Sequence, residues 1–138
     1  MPDEWVVDAS VAAKLFLTET GSEEARAFFS AEGVLIAPDL ILVELASIAA
    51  KQVRSGAIDA AAGQSMLRRA PALFDRLFAE GPLLPRAYAL ASAHPISVYD
   101  GLYIALSEMR GATLVTADLK LVDKMRRAQV AGRVHALG

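Results

Sequence analysis

Cysteine is absent from the 138 residues, so the chain carries neither a disulfide framework nor a thiolate-held zinc, and a reducing compartment suits it. Histidine occurs twice, at His94 and His135, which read as a helix-end residue and a strand residue. No stretch reaches the roughly eighteen uncharged apolar residues of a membrane span. The opening residues carry Asp3 and Glu4 where a secretory signal would carry basic side chains. The expectation is a soluble, cytoplasmic chain with no membrane partner. A basic excess is missing too. Fourteen lysines and arginines face 16 aspartates and glutamates, a net charge of −2, which argues against a broad basic surface for nucleic acid.

What is present is apolar and unevenly charged. Hydrophobic residues make up 54% of the chain and the mean hydropathy is +0.36, which fits a well-filled core and a buried interface equally. A chain of this length suits one domain, residues 1–138, burying roughly two-thirds of its unfolded surface. Residues 1–50 hold nine acidic and two basic side chains, net −7; residues 51–138 hold seven and twelve, net +5. Chance and ordinary solvated helix faces explain such a split as readily as acidic ligands set beside a basic rim.

Short β-rich runs recur at residues 5–7, 34–37, 96–98, 113–116 and 133–136. Helical patterns fill the gaps, at residues 11–17, 22–31, 40–55, 60–78, 86–93, 101–110 and 119–127, supported by frequent alanine. Strands alternating with helices imply right-handed crossovers and a mostly parallel sheet covered on both faces. Ser22, Asp39 and Asp59 stand where helices should be capped, and Gly56, Gly111 and Gly132 where a helix or turn should end. Pro71 breaks or kinks the fourth helix, and the stretch from Gly81-Pro82 to Pro85 is a connecting loop.

In an open parallel sheet, ligands bind beyond the carboxyl ends of the strands. Three aspartates fall there. Asp8 follows Trp5-Val6-Val7, Asp100 follows Ile96-Ser97-Val98-Tyr99, and Asp118 follows Leu114-Val115-Thr116 after one alanine. Each also opens a helix, and singly each is explained by capping. Together they repel: like charges about 4 Å apart cost about 4 kcal/mol at an effective dielectric of about 20. That calls for a cation, and an oxygen-only set suits Mg²⁺ or Mn²⁺.

Glu44 lies in Leu40-Ile41-Leu42-Val43-Glu44-Leu45-Ala46-Ser47-Ile48, apolar on almost every helical face, where an ionised side chain needs a partner. Membership of the metal site supplies one. An ion pair with Lys51, which shares its helical stripe with Ser47, supplies another. Ser10, two residues after Asp8, and Thr116, two before Asp118, are placed to orient those carboxylates. They read equally as a helix-start hydroxyl and a β-branched strand residue.

Taken in order, VVDASVAAKLF around Asp8, APDLILVELAS around Glu44, ISVYDGLYIALS around Asp100 and LVTADLKL around Asp118 resemble the PIN-domain family. More specifically, they resemble the VapC-type toxins of type II toxin–antitoxin (VapBC) pairs, nearly end to end. The resemblance implies an α/β/α sandwich around a central, mostly parallel sheet of about five strands. It further implies an endoribonuclease that hydrolyses RNA to leave a 5′-phosphate and a 3′-hydroxyl. By position, Asp8, Glu44, Asp100 and Asp118 match the family's acidic, metal-binding quartet, and Thr116 its frequent hydroxyl before the last aspartate. Implied partners are an RNA substrate, a cognate VapB-like antitoxin and a second copy, giving a homodimer and a heterotetramer or larger with antitoxin. Two positions depart from the pattern: Ser47 stands where asparagine is common, which weakens a hydrogen bond beside the site, and Gly101 where alanine is common, which loosens a helix start.

In the resulting mechanism Asp8, Asp100 and Asp118 hold one divalent ion and Glu44 helps hold a second or positions the attacking water, with no imidazole base required. Lys51 and Lys120 are placed to meet RNA phosphates. Lys120, Lys124, Arg126 and Arg127 form either an RNA-facing rim or a solvated helix face. A phospho-acceptor receiver domain also sets aspartates at strand ends. It would want adjacent acids after the first strand and a lysine after the last, where this chain has Ala9 and Arg133-Val134-His135. A haloacid-type phosphatase would want an acid at position 10, where Ser10 stands. A PIN domain that binds RNA or protein with little catalysis is the remaining alternative.

Overall fold

A computed structural model describes residues 3–31, 33–130 and 132–137. Five strands form one sheet: β1 (Glu4–Val7), β2 (Val34–Pro38), β3 (Arg76–Phe78), β4 (Thr113–Thr116) and β5 (Val134–Ala136). All four pairings are parallel and the spatial order is β3-β2-β1-β4-β5. β1 is therefore central. The chain steps outward from it through β2 to β3, then returns to its other side for β4 and β5. The helices are α1 (Ala9–Ala12), α2 (Ser22–Ser30), α3 (Leu40–Arg54), α4 (Ala60–Arg69), α5 (Leu84–Ala93), α6 (Val98–Arg110) and α7 (Leu119–Arg127). The result is the expected α/β/α arrangement around a parallel sheet of five strands. Among the described residues, no helix is long and apolar enough to cross a membrane.

Strands buried on both faces read as continuous apolar runs rather than alternating ones. Val6, Val7, Ile36, Leu114 and Val115 are at most 1% exposed and form the middle of the core. Against the sheet lies α6, whose residues Gly101 to Ser107 are all buried. Its far end is tied to the central strand: Arg110 grips Glu4 through two guanidinium nitrogens at 3.1 and 2.7 Å. Arg86 of α5 holds Glu108 in the same two-pronged way at 2.8 and 3.1 Å.

Two elements differ from expectation. The run 96–98 is not a strand. The Ser97 hydroxyl accepts from the Asp100 amide at 3.0 Å, so α6 starts at Val98 and helix capping outweighs the β-branched residues. The fifth strand comes instead from residues 76–78, inside the long helix expected at 60–78. Pro71 does break that helix: α4 stops at Arg69, a 3₁₀ turn runs from Ala70 to Leu73, and the extended Phe74 leads into β3. Among the caps, Asp59 accepts from the Ala62 amide at 2.7 Å and Gly111 ends α6 at φ 62°, as expected. Asp39 makes no side-chain cap. Ser22 is not a cap either; Gly21 precedes α2, and the Ser22 hydroxyl donates to Leu17 O at 2.7 Å across the preceding turn.

Gly101 has a packing role. A Cβ built there would stand 3.0 Å from both Cα and the carbonyl oxygen of Ala87, so glycine lets α5 and α6 approach at the turn that carries Asp100. This packing role stands beside the effect on the helix start expected of a glycine there. Overpacking costs about 1–3 kcal/mol and the better helix propensity of alanine returns at most about 1. Gly101→Ala is expected to destabilise the fold by about 1–2 kcal/mol in denaturant titration; an unchanged or raised midpoint would show that α5 yields freely.

Candidate active site

The order β3-β2-β1-β4-β5 reverses direction at β1, so a crevice opens beyond the carboxyl ends of β1 and β4. Asp8 stands at the end of β1, its amide donating to Val115 O of β4 at 3.2 Å. It is 8% exposed. Its Oδ1 accepts from the Ser10 hydroxyl at 2.6 Å and the Val11 amide at 3.2 Å, so it also caps α1. The Ser10 hydroxyl in turn accepts from the Ala117 amide at 3.1 Å, linking the start of α1 to the turn after β4. Thr116 is fully buried and its hydroxyl accepts from the Asp118 amide at 3.0 Å. Asp118 caps α7, its Oδ1 accepting from the amides of Lys120 and Leu121 at 3.0 and 3.2 Å.

Asp100 reaches the same crevice from the first turn of α6, not from a strand end. Glu44 comes from α3, half-buried, and its partner is Tyr103, whose hydroxyl donates to Oε1 at 2.6 Å. The alternative of an ion pair with Lys51 is not formed among the described residues. Tyr103 itself went unnoticed in the sequence, where it reads as one more core aromatic. The signal available was its position one turn beyond Asp100 in a buried helix, because a buried phenol needs an acceptor.

Asp8, Glu44, Asp100 and Asp118 thus line a single cleft of about 340 Å³. Ser10, Ser47, Lys51 and Tyr103 contribute to the same walls. Lys120 does not; it faces a neighbouring cleft. His94 closes α5 and His135 stacks on Phe28 at 6.3 Å, both away from the acids. Ser47 is exposed beside Glu44, whose orientation comes from Tyr103, so the asparagine missing at 47 does not leave Glu44 unsupported.

The electrostatics follow from this crowding. Burial pushes the Asp8 carboxyl above the usual range against the pull of Ser10, Thr116 and Val11, and the charge of Asp100 adds to the push. Burial also raises Glu44, opposed by its bond from Tyr103 and reinforced by Asp100 and Asp8. Asp100 is raised by burial and then by Asp118, while Lys124 pulls the other way. The Tyr103 phenol is driven up by burial and by Glu44, which keeps it a donor. Among the described residues none of the four acids is paired with a cation. Nor is any group of three carboxylates or imidazoles already arranged about a common metal position. As placed, Asp8, Glu44 and Asp118 are held by hydroxyls and amides.

The PIN domain family model matches residues 5–127. The chain belongs to the PIN-domain family. Ribonuclease VapC3 of Pyrobaculum aerophilum is 37% identical over 123 residues, spanning 86% of this chain and 92% of that protein. Among solved structures, Mycobacterium tuberculosis VapC20, a sarcin-ricin loop cleaving toxin, superposes at a TM-score of 0.70 with 17% identity, over 86% of this chain and 93% of that one. VapBC2 from Rickettsia felis, bound to a DNA fragment from their promoter, does so at 0.67 with 12% identity, over 98% and 99%. At those identities the two structures share the PIN fold with this chain.

In this PIN domain the raised carboxyls carry a stability consequence. Unfolded, Asp and Glu titrate at about 3.9 and 4.3; the metal-free fold holds their protons to higher pH. The folded state therefore binds more protons across that window, and its stability falls as pH rises through it. Glu4, held low by its hydrogen bonds from Arg110, acts oppositely and only on the acid side, where its contribution is lost as pH drops. Melting temperatures of the metal-free protein from about pH 4 to about pH 7 should decline for this reason. Asp100→Asn should reduce the decline and be no less stable than wild type near neutrality. An unaltered slope in the variant would contradict it.

Proposed function

We infer that the chain is a VapC-type endoribonuclease, the toxin of a toxin–antitoxin pair, working from the cleft lined by Asp8, Glu44, Asp100 and Asp118. The observation that carries this is the convergence of four carboxylates from the end of β1, α3, α6 and the β4–α7 turn, none of them ion-paired among the described residues, in a chain 37% identical to a ribonuclease VapC3. The cleft's donors are all oxygen, and repulsion among them favours a cation, which suits Mg²⁺ or Mn²⁺. Asp8, Asp100 and Asp118 would hold the ion, and Glu44 would help hold a second or position water. Once bound, such an ion polarises a phosphoryl oxygen and acidifies water, and an RNA phosphodiester is the substrate.

The chain's own residues hold this arrangement ready. Ser10 and the Val11 amide fix the Asp8 carboxylate, and Thr116 fixes the turn that aims Asp118. Tyr103 fixes Glu44 as a hydrogen-bond acceptor. Lys51, on the cleft wall, is free to meet a phosphate. For partners, we extend to this chain the VapB-like antitoxin and the homodimer of the family pattern, with a heterotetramer or larger assembly of the two. Exposed Leu84, Tyr88 and Met109 on α5 and α6 offer apolar surface for such contacts.

Incubating an RNA panel with Mg²⁺, with Mn²⁺ and with EDTA tests this directly. Cleavage should require the metal, and Asp8→Asn and Asp100→Asn should each lower kcat/KM by about 100-fold or more, about 2.7 kcal/mol of transition-state stabilisation. Metal-independent cleavage, or full activity in both variants, would sink the mechanism.

A further inference from the structure

A second cleft, about 420 Å³, lies between the α5–α6 connection and α7, lined by His94, Pro95, Lys120, Asp123, Lys124 and Arg127 among others. Its size is that of a small-ligand site, about 300–1,000 Å³. Three cations meet one carboxylate here, and Asp123 is already engaged by Arg127 at 3.1 Å. Among the described residues, neither Lys120 nor Lys124 has an ion-pair partner. Arg126, the fourth basic residue of α7, does not line the cleft.

The cleft neighbours the acidic one. Asp118 lines the first and Lys120 the second, and the Lys120 amide donates to Asp118 Oδ1 at 3.0 Å. Lys124 lies close enough to Asp100 to favour its ionised form. Tyr99 and Leu119, each next in sequence to one of the acids, are 62% and 68% exposed. Exposed aromatic rings and unpaired ammonium groups are the two elements that grip single-stranded nucleic acid, by stacking and by phosphate contact.

We propose that the Lys120–Lys124–Arg127 cleft binds a backbone phosphate of the RNA strand next to the one that enters the acidic cleft. This rests on the ribonuclease reading and names where the substrate runs. It gives the α7 basic residues a defined job, and it distinguishes Lys120, Lys124 and Arg127 from Arg126. An acidic peptide would satisfy the charges alone; nearness to the acids and the exposed Tyr99 favour RNA.

The test uses the full chain carrying Asp8→Asn, so that bound RNA survives, and compares it with the same chain carrying K120Q and K124Q. Binding of a fluorescent single-stranded RNA is followed by anisotropy over a range of salt. Loss of this phosphate contact should weaken binding about 3- to 30-fold and lower the slope of log K against log salt by about 0.7. The charge-matched control R26Q/R68Q, on α2 and α4 outside the cleft, should change neither. With Asp8 restored, K120Q/K124Q should raise KM more than it lowers kcat. Unchanged slope and KM in an RNA-cleaving protein would overturn the proposal and leave the ribonuclease reading intact. Binding that weakens as expected in a protein that never cleaves would support the cleft and defeat that reading. If the substitutions spare RNA and weaken binding of an acidic peptide instead, the cleft is a protein-docking surface and the proposal fails.

Discussion

β1 is paired in parallel on both sides, with β2 across Glu4–Val34 to Val6–Ile36 and with β4 across Trp5–Thr113 to Val7–Val115. That double pairing decides where everything else must go. Because the strand order reverses at β1, a crevice opens beyond the ends of β1 and β4. Asp8 sits in that gap with its backbone still bonded to β4, so its position is set by sheet hydrogen bonds and not by a loop. A carboxylate 8% exposed is costly in isolation; here a hydroxyl and an amide offset part of that cost, and the remainder appears as its raised proton affinity.

Asp100 and Glu44 reach the gap because α6 is held at both ends, by α5 near its start and by α5 and the sheet at its end. Near its start, Gly101 lies against Ala87 of α5 with no room for a side chain. At its end, Arg110 and Glu108 make paired contacts to Glu4 and Arg86. Exposed ion pairs of this kind contribute at most about 1 kcal/mol each. Their use is geometric: two-pronged bonds fix the rotation of the helix as well as its place. With α6 held, Asp100 and Tyr103, one turn apart, present a carboxylate to the crevice and a phenol to Glu44. Glu44 on α3 is thereby drawn to the site through α6.

Much of this was legible from residues alone, for identifiable reasons. Val6-Val7-Asp8 and Val115-Thr116-Ala117-Asp118 announce buried strands that end in a cap, and sheet geometry then places both acids together. Ile96-Ser97-Val98 suggests a strand by composition, because three residues carry too little periodicity to tell a strand from a helix start; the Ser97 cap decides it only in the folded chain. β3 was hidden for the same reason. It has three residues at the sheet edge, one of them the exposed Arg76, whose guanidinium lies 4.3 Å from the Phe78 ring. Nothing in such a short edge strand alternates. Tyr103 was missed because its apolar body satisfies the helix pattern and its hydroxyl matters only once α3 is packed alongside.

The charge segregation of the chain takes on meaning in three dimensions. Asp8 and Glu44 come from the half with net −7, Asp100 and Asp118 from the half with net +5. Two basic residues, Lys120 and Lys124, follow Asp118 on one helix. Folding therefore sets an acidic cleft and a basic one against each other, joined through residues 118–120. At physiological salt, charges more than about 8–10 Å apart are largely screened, so a ligand at this site responds to the local pattern and not to the overall −2. A polyanion would be repelled by the first cleft alone and held only loosely by the second. A divalent ion among the carboxylates would cancel the repulsion, and under the proposed RNA path the two clefts would then act together on successive parts of one strand. A small net negative charge is compatible with a nucleic-acid substrate on these terms.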